Sequence, residues 1–284
     1  MQQDPADARY VDLHIHTTFS DGTSSVEEVV DAAAGKGLKA ISVTDHDSVD
    51  AYPKVTKRAA KVGIEVVPGV ELSSEFEGID IHVLGYYIDI THKAFTRKLQ
   101  EIKEARYVRA EKMVRNLNAR GIDLRFETGR KIAGEGAIGR PHIAAAMLRE
   151  ELVYSFREAF EKHIGYESPA YVEKLKMHPE EVFELVMAAG GIPVLAHPGV
   201  TQVDERIPEF INYGLGGIEV FHSEHTGAAV RHYKRLCRKY DLLMTGGSDF
   251  HSGEHNKSEI GVPPVPYSVV ERLNKRHAQF LQHR

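Results

Sequence analysis

The chain of 284 residues has one cysteine, Cys237, so no internal disulfide can form. That fits a reducing compartment. Cys237 lies in the helix-like stretch Ala228 to Tyr240 and reads as a packing residue. No apolar run approaches the length of a membrane span. Met1 to Arg9 is polar and acidic, without an apolar signal-peptide core. A cytoplasmic protein is the expectation. Low-complexity tracts and internal repeats are also missing. Positive charge is in deficit: a formal net charge of -5 weighs against a bulk nucleic-acid binder. With no basic, aromatic-studded stripe apparent, a nuclease of long DNA is the least attractive reading. A small anionic substrate, met locally by metals and a few arginines, stays open.

What is present is a hydrophobic content of 42%, enough for a sizeable core, on a length that suits one α/β barrel or a core domain with an insertion. Strand and helix signals alternate through the first ninety or so residues. Arg9 to His14 reads as a strand, and Ser24-Ser25 with Glu27-Glu28 opens a capped helix to about Lys36. Leu38 to Thr44 is a second strand, Ala51 to Lys61 a helix, and Ile64 to Leu72 a third strand. Ile79 to Ile88 is a fourth, reached through a Glu77-Gly78 turn. Thr96 to Arg120 is then a long charged helix, and Gly139 to Gly165 holds two shorter ones. No convincing strand lies between about 92 and 176. The alternation resumes with a helix from His178 to Ala189 and strands at Ile192 to Ala196, Gly217 to Phe221 and Leu242 to Gly246. Helices near Asp204 to Tyr213 and over Ala228 to Tyr240 intervene, and Ser268 to Gln282 closes the chain as a helix. The pattern predicts a parallel barrel or a distorted relative, with an open doubly wound sheet as the alternative. The expected division is a barrel domain from 1–95 and 176–284, interrupted by a helical insertion domain at 96–175.

Sixteen histidines is an unusual number, and their placement matters more than the count. The first strand ends in His14-Ile15-His16, with Asp21 following in a Ser-Asp-Gly turn. The second ends in Asp45-His46-Asp47, the third supplies Glu71, and the fourth holds His82. Later strands end in His197-Pro198, in His222, and in Ser248-Asp249-Phe250-His251. In a barrel the C-terminal strand ends converge on one mouth. Spacing of two along a strand puts His14 and His16 on one face, able to share an ion, and Asp249 with His251 repeats it. One histidine after a strand is usually a hydrogen-bonded loop residue; donors after almost every strand are not. Imidazole mixed with carboxylate suits manganese, iron or zinc, and nine donors suit a cluster of two or three ions.

His14-Ile15-His16-Thr17-Thr18-Phe19-Ser20-Asp21-Gly22, Thr44-Asp45-His46-Asp47, Pro68-Gly69-Val70-Glu71, Ala196-His197-Pro198 and Gly247-Ser248-Asp249-Phe250-His251 resemble, in order, the motifs of the PHP (polymerase and histidinol phosphatase) family of metal-dependent phosphoesterases. The resemblance implies a distorted seven-stranded (β/α) TIM-like barrel with a trinuclear site. By the family pattern His14, His16, Glu71 and Asp249 would hold one ion, and Glu71 would bridge to a second held by His82 and His197. Asp21, His46 and His251 would hold the third; many members have histidine where Asp21 stands, which bears on metal preference there. Gly139-Arg140-Pro141-His142 in the helical insertion resembles the subgroup acting on nucleoside 3',5'-bisphosphates, nucleoside monophosphates or very short RNA.

Divalent ions at such a site neutralise phosphate oxygens and bring a bridging water to hydroxide near neutral pH, so that Asp249 and its neighbours would carry catalysis. His222, at a strand end without an assigned ion, is the candidate general acid. Arg140 and His142 precede a helix whose amides can receive an anion. Arg106 and Arg109 share an apolar helix face with Leu99, Ile102, Met113 and Leu117, so each needs a buried carboxylate or a ligand phosphate; Lys174 is a weaker candidate. Asp45 and Asp47 are placed to orient ligands. His92, His163, His178, His225, His232, His255, His277 and His283 read as surface or capping residues. The competing functions are a histidinol-phosphate or other sugar-phosphate phosphatase, and a non-catalytic metal-binding module.

Overall fold

The computed structural model describes residues 9–252 and 258–282. Its first part runs β1 (Tyr10–Ile15), α1 (Val26–Gly35), β2 (Ala40–Val43), α2 (Tyr52–Val62), β3 (Glu65–Val66), β4 (Gly69–Phe76) and β5 (Ile79–Tyr86). The start of α1 is fixed as a capping box, with Ser25 Oγ accepting from Glu28 N–H at 3.3 Å and the Glu28 carboxylate accepting from Ser25 N–H at 2.8 Å. The β4–β5 hairpin turns through Glu77 and Gly78, both at positive φ (51° and 83°), the conformation that two-residue hairpin turns require.

Helices α3 (Lys93–Asn118), α4 (Phe126–Ala133), α5 (Arg140–Arg149) and α6 (Phe156–Glu158, continuing as a π-helical turn to Ile164) follow. The sequence signal had not separated α4. The last part comprises α7 (Pro179–Ala188), β6 (Ile192–Leu195), α8 (Pro198–Thr201), α9 (Ile207–Asn212), β7 (Gly217–His222), α10 (Gly227–Tyr240), β8 (Leu243–Gly247), β9 (Val265–Pro266) and α11 (Ser268–Gln282). None of the described helices is long and apolar enough to cross a membrane.

The expected ring of parallel strands is replaced by two sheets, in the orders β3-β2-β1-β9 and β4-β5-β6-β7-β8. Three of the pairings, β1 with β9, β4 with β5 and β5 with β6, are antiparallel. The single strand expected over Ile64 to Leu72 is broken at Val67-Pro68. Pro68 has no N–H for a ladder, so β3 ends beside β2 and the chain crosses to begin β4 in the other sheet. The sheets touch along two short seams of backbone hydrogen bonds. On one, Asp249 N–H donates to His14 O (2.9 Å) and His16 N–H to Phe250 O (2.8 Å). On the other, Asp47 N–H donates to Glu71 O (2.8 Å). Candidate site residues lie on both seams.

Helix α3 spans about 39 Å at 1.5 Å per residue and serves two cores. Phe95, Leu99 and Ile102 pack with β4, β5 and α7; Ala110, Met113, Val114 and Leu117 pack with α4 and α5. Arg106 and Arg109 interrupt the apolar stripe between the two cores, where the helix passes an open cavity.

Candidate metal centre

Glu71 is fully buried and meets five imidazoles. Its Oε2 lies 3.2 Å from His14 Nε2, 3.1 Å from His16 Nε2 and 3.1 Å from His46 Nδ1. Its Oε1 lies 3.0 Å from His82 Nδ1 and 3.1 Å from His197 Nε2. Asp249 Oδ1 is 3.3 Å from His14 Nε2 and 3.2 Å from His16 Nε2, which are themselves 3.1 Å apart. Donor atoms about 2.0–2.2 Å from a four-coordinate ion stand about 3.3–3.6 Å from one another, close to the spacing of this group. A second group gathers His16, Asp21, His46 and His251, with His251 Nε2 3.2 Å from Asp21 Oδ1. A third gathers His46, Glu71 and His82. His46 thus stands between two groups, and His197 reaches the third through Glu71 Oε1.

Asp21 Oδ1, His46 Nδ1 and Glu71 Oε2 are buried and make no hydrogen bond, although imidazole nitrogens or carboxylate oxygens lie close by. Lone pairs aimed at one point without a proton between them are what a cation resolves. The electrostatics agree. Burial favours protonation of Glu71, Asp21 and Asp249, yet the surrounding histidines hold all three well below the usual carboxylate range. Burial opposes charge on His16, but the adjacent Asp249 and Glu71 carboxylates raise it to about 10; His14 is likewise raised by Glu219, Glu71 and Asp249. His46, where burial dominates, drops to about 3. The residues fit a metal cluster.

Part of the backbone strain lies at the same place. Asp47 (φ 52°), His197 (φ 27°) and Asp249 (φ 51°) are left-handed, a conformation that costs about 1–3 kcal/mol each and persists only where the surroundings impose it. Two glycines are obligatory for space: a Cβ at Gly22 would meet His16 O at 2.6 Å, and one at Gly247 would meet His14 N at 2.3 Å.

The supporting shell holds both expected and unforeseen residues. Asp45 Oδ1 accepts from Thr17 N–H (2.7 Å) and Ser20 Oγ (2.6 Å), fastening the loop that carries Asp21. Asp47 Oδ1 accepts from Ser73 N–H at 2.9 Å. Glu219 was not singled out in the sequence, although an acid inside the apolar run Gly217-Ile218-Glu219-Val220-Phe221 is a signal. It is wholly buried; Oε1 meets His14 Nδ1 at 3.0 Å and Oε2 accepts from His197 N–H at 2.8 Å. Asp12, also buried, accepts from the N–H groups of Ser248 (2.9 Å) and Gly261 (2.7 Å).

Several of the other expected residues meet partners within the protein. His222 is buried; Nδ1 accepts from Glu224 N–H (3.1 Å), which leaves the proton on Nε2, 3.3 Å from Asp249 Oδ2. The ring therefore presents that proton to Asp249. Arg106 pairs with the buried Asp47 carboxylate and donates to Ser73 Oγ (3.1 Å). Lys174 pairs with Asp80 at 2.7 Å. Arg109 donates to Val172 O (2.7 Å), and Arg140 stacks 4.3 Å over the Tyr166 ring and donates to its hydroxyl (3.0 Å); neither meets a carboxylate among the described residues. The α5 terminus offers an anion little, because Pro141 has no N–H and Gly139 N–H is taken by His142 Nδ1 at 2.9 Å. His92 and His178 cap α3 and α7. His225 is half-buried: it accepts Gly199 N–H at 3.0 Å in the first turn of α8 and so braces the turn after His197. His255 and His283 lie outside the described residues.

Burial lowers the pKa of His142 from its ordinary 6.5. The unfolded chain therefore binds the extra proton first as pH falls below about 6.5, so this contribution to stability is complete above that pH and declines below it. Replacing His142 with Gln should flatten the acid limb of stability. Urea midpoints between about pH 7.5 and pH 5 test this, and parallel profiles for variant and wild type would refute it.

A PHP domain model matches residues 12–185. The chain is 33% identical over 245 residues to a 5'-3' exoribonuclease of Haemophilus influenzae, covering 84% of this chain and 89% of that one. It is 30% identical over 276 residues to a 3',5'-nucleoside bisphosphate phosphatase of Chromobacterium violaceum, covering 94% and 97%. A crystal structure from Bifidobacterium adolescentis, assigned as a metal-dependent phosphoesterase, superposes with a TM-score of 0.87 at 27% identity, covering 95% of this chain and 96% of that one. With its carboxylate-centred histidine clusters and this ancestry along nearly its whole length, the chain belongs to the PHP family and is a metal-dependent phosphoesterase.

Proposed function

We propose that the chain removes phosphate from small nucleotides: nucleoside 3',5'-bisphosphates, monophosphates such as AMP, or the end of a short RNA. The observation that carries this is a cavity of about 360 Å³. Asp21, His46, His82 and His197 line one side; Arg109, Arg140, Phe160 and Tyr166 line another. Pockets for small ligands run from about 300 to 1,000 Å³, so a mononucleotide suits this one better than a polymer.

In this reading the helices of 96–175 act as an insertion domain that supplies the substrate wall, and the two sheets are an opened seven-stranded barrel that supplies the ligands. His14, His16, Asp21, His46, Glu71, His82, His197, Asp249 and His251 would hold two or three ions of manganese, iron or zinc. Such ions neutralise the phosphate and supply hydroxide near neutral pH. Arg109 and Arg140, which meet no carboxylate among the described residues, receive a second anionic group of the substrate. Arg106 is held in place by Asp47 and sets the floor of the cavity. His222 orients Asp249. A cytoplasmic setting is consistent with the lone, buried Cys237.

Histidinol phosphate carries cationic or neutral groups where this wall is cationic, and should be the poorer substrate. Phosphate release from manganese-loaded protein on adenosine 3',5'-bisphosphate, AMP, a short RNA and histidinol phosphate tests the reading. Preference for histidinol phosphate, or turnover that survives chelation, would overturn it. Arg140→Gln should raise KM for the bisphosphate about tenfold, equivalent to about 1.4 kcal/mol, with kcat little changed. An unchanged KM would remove Arg140 from the substrate wall.

A further inference from the structure

Helix α10 carries Arg231, Lys234, Arg235, Arg238 and Lys239 and no acidic residue, in a chain whose net charge is -5. At 100° per residue the five occupy one face, opposite the buried Tyr233 and Cys237. All but Lys234, which sits over the Phe221 ring, are exposed. Among the described residues none of the five is in an ion pair; the pairs nearby are His232 with Asp204 and Arg276 with Asp241. Like charges at spacings of three and four repel. Only Arg238 and Lys239, in the last turn, gain from the helix dipole. From α11, Arg272 and Lys275 line a cleft with Asp241, the residue that follows α10, and Arg276 donates to Asp241. The overall negative charge hides this face in the sequence.

The ridge begins at the rim of the catalytic cavity. Val200 and Thr201 of α8 line that cavity. Gly199, beside them, donates to His225, two residues before α10 starts. Asp204 then takes His232 Nε2 (2.7 Å) and Tyr233 Oη (3.1 Å), fixing the first turns of α10 against the same segment. From Arg231 to Lys239 the ridge runs about 12 Å away from the rim. A ligand with one phosphate at the metal centre and further phosphates along its chain is the polyanion that such a layout fits. Three of the five cations are arginines, whose fork matches a phosphate.

We propose that the α10–α11 ridge is an exosite for the body of a single-stranded RNA whose terminal phosphate occupies the cavity; this rests on the reading of short RNA as a substrate. The test is the triple variant Arg231→Gln, Arg235→Gln, Arg238→Gln in the full chain loaded with manganese. Its exposed side chains and relieved repulsion leave folding intact, checked by circular dichroism. Substrates are a 5'-phosphorylated RNA of about ten nucleotides, within the range of single-strand site sizes, and adenosine 3',5'-bisphosphate. The variant should raise KM for the RNA at least about tenfold and reduce the slope of log KM against log salt by about 2, near 0.7 per lost phosphate contact. Turnover of the bisphosphate, which ends inside the cavity, should match wild type. Unchanged RNA KM and slope with intact bisphosphate turnover would overturn the exosite alone. If wild type hydrolyses neither substrate, the functional reading falls, and fluorescence anisotropy with the same RNA decides the ridge. Weaker binding by the variant supports it, and equal binding overturns it. Competition by polyglutamate as strong as by unlabelled RNA would also overturn it, in favour of an acidic protein partner.

Discussion

Glu71→Gln is expected to lower kcat by at least about 10³-fold, or about 4 kcal/mol at 1.36 kcal/mol per decade. No other side chain touches so much of the site: one carboxylate lies within 3.0 to 3.2 Å of His14, His16, His46, His82 and His197. The substitution keeps the volume, removes the charge that joins the groups, and turns an N–H₂ toward imidazole lone pairs. Metal content by mass spectrometry should fall together with phosphate release. Full metal content with full activity would exclude Glu71 as the bridging residue. Retained metal with lost activity would move its role from holding ions to the chemical step.

Glu219→Gln should weaken metal binding about 10- to 100-fold, the range seen when a hydrogen-bond partner of a ligand is removed. The argument is one of protons. Glu219 accepts on both oxygens, from the His14 ring and from His197 N–H, and in doing so leaves His14 Nε2 bare toward Glu71 and Asp249. A glutamine has one acceptor oxygen. If its oxygen serves His197, its N–H₂ faces His14 Nδ1 and pushes the proton to Nε2, where an ion would sit. In the opposite orientation it faces His197 N–H, leaving a buried donor unsatisfied at about 1–3 kcal/mol. Manganese titration followed by calorimetry measures the loss, and the bisphosphate KM at saturating metal should stay near wild type. Wild-type metal affinity would show that the tautomer of His14 does not depend on Glu219.

The sequence alone determined the chemistry of the donors and most of the elements that carry them. Spacing of two in His14-x-His16, the capping residues of α1 and the tail helix Ser268–Gln282 are local properties, set by backbone periodicity within a few residues, and the structure places them as read. Only the tertiary structure decided where each donor's partner comes from. His14 and Glu219 are 205 residues apart, and no local pattern ties them. Likewise Arg106, Arg109 and Arg140 are equivalent as residue types; packing gives Asp47 to the first and, among the described residues, leaves the other two without a carboxylate. The fold turned on Pro68, whose missing N–H diverts the chain between sheets, an effect visible only once both sheets compete for the strand. Local propensity writes the elements and the donor types; long-range burial and pairing choose which charges are neutralised and which face the cavity.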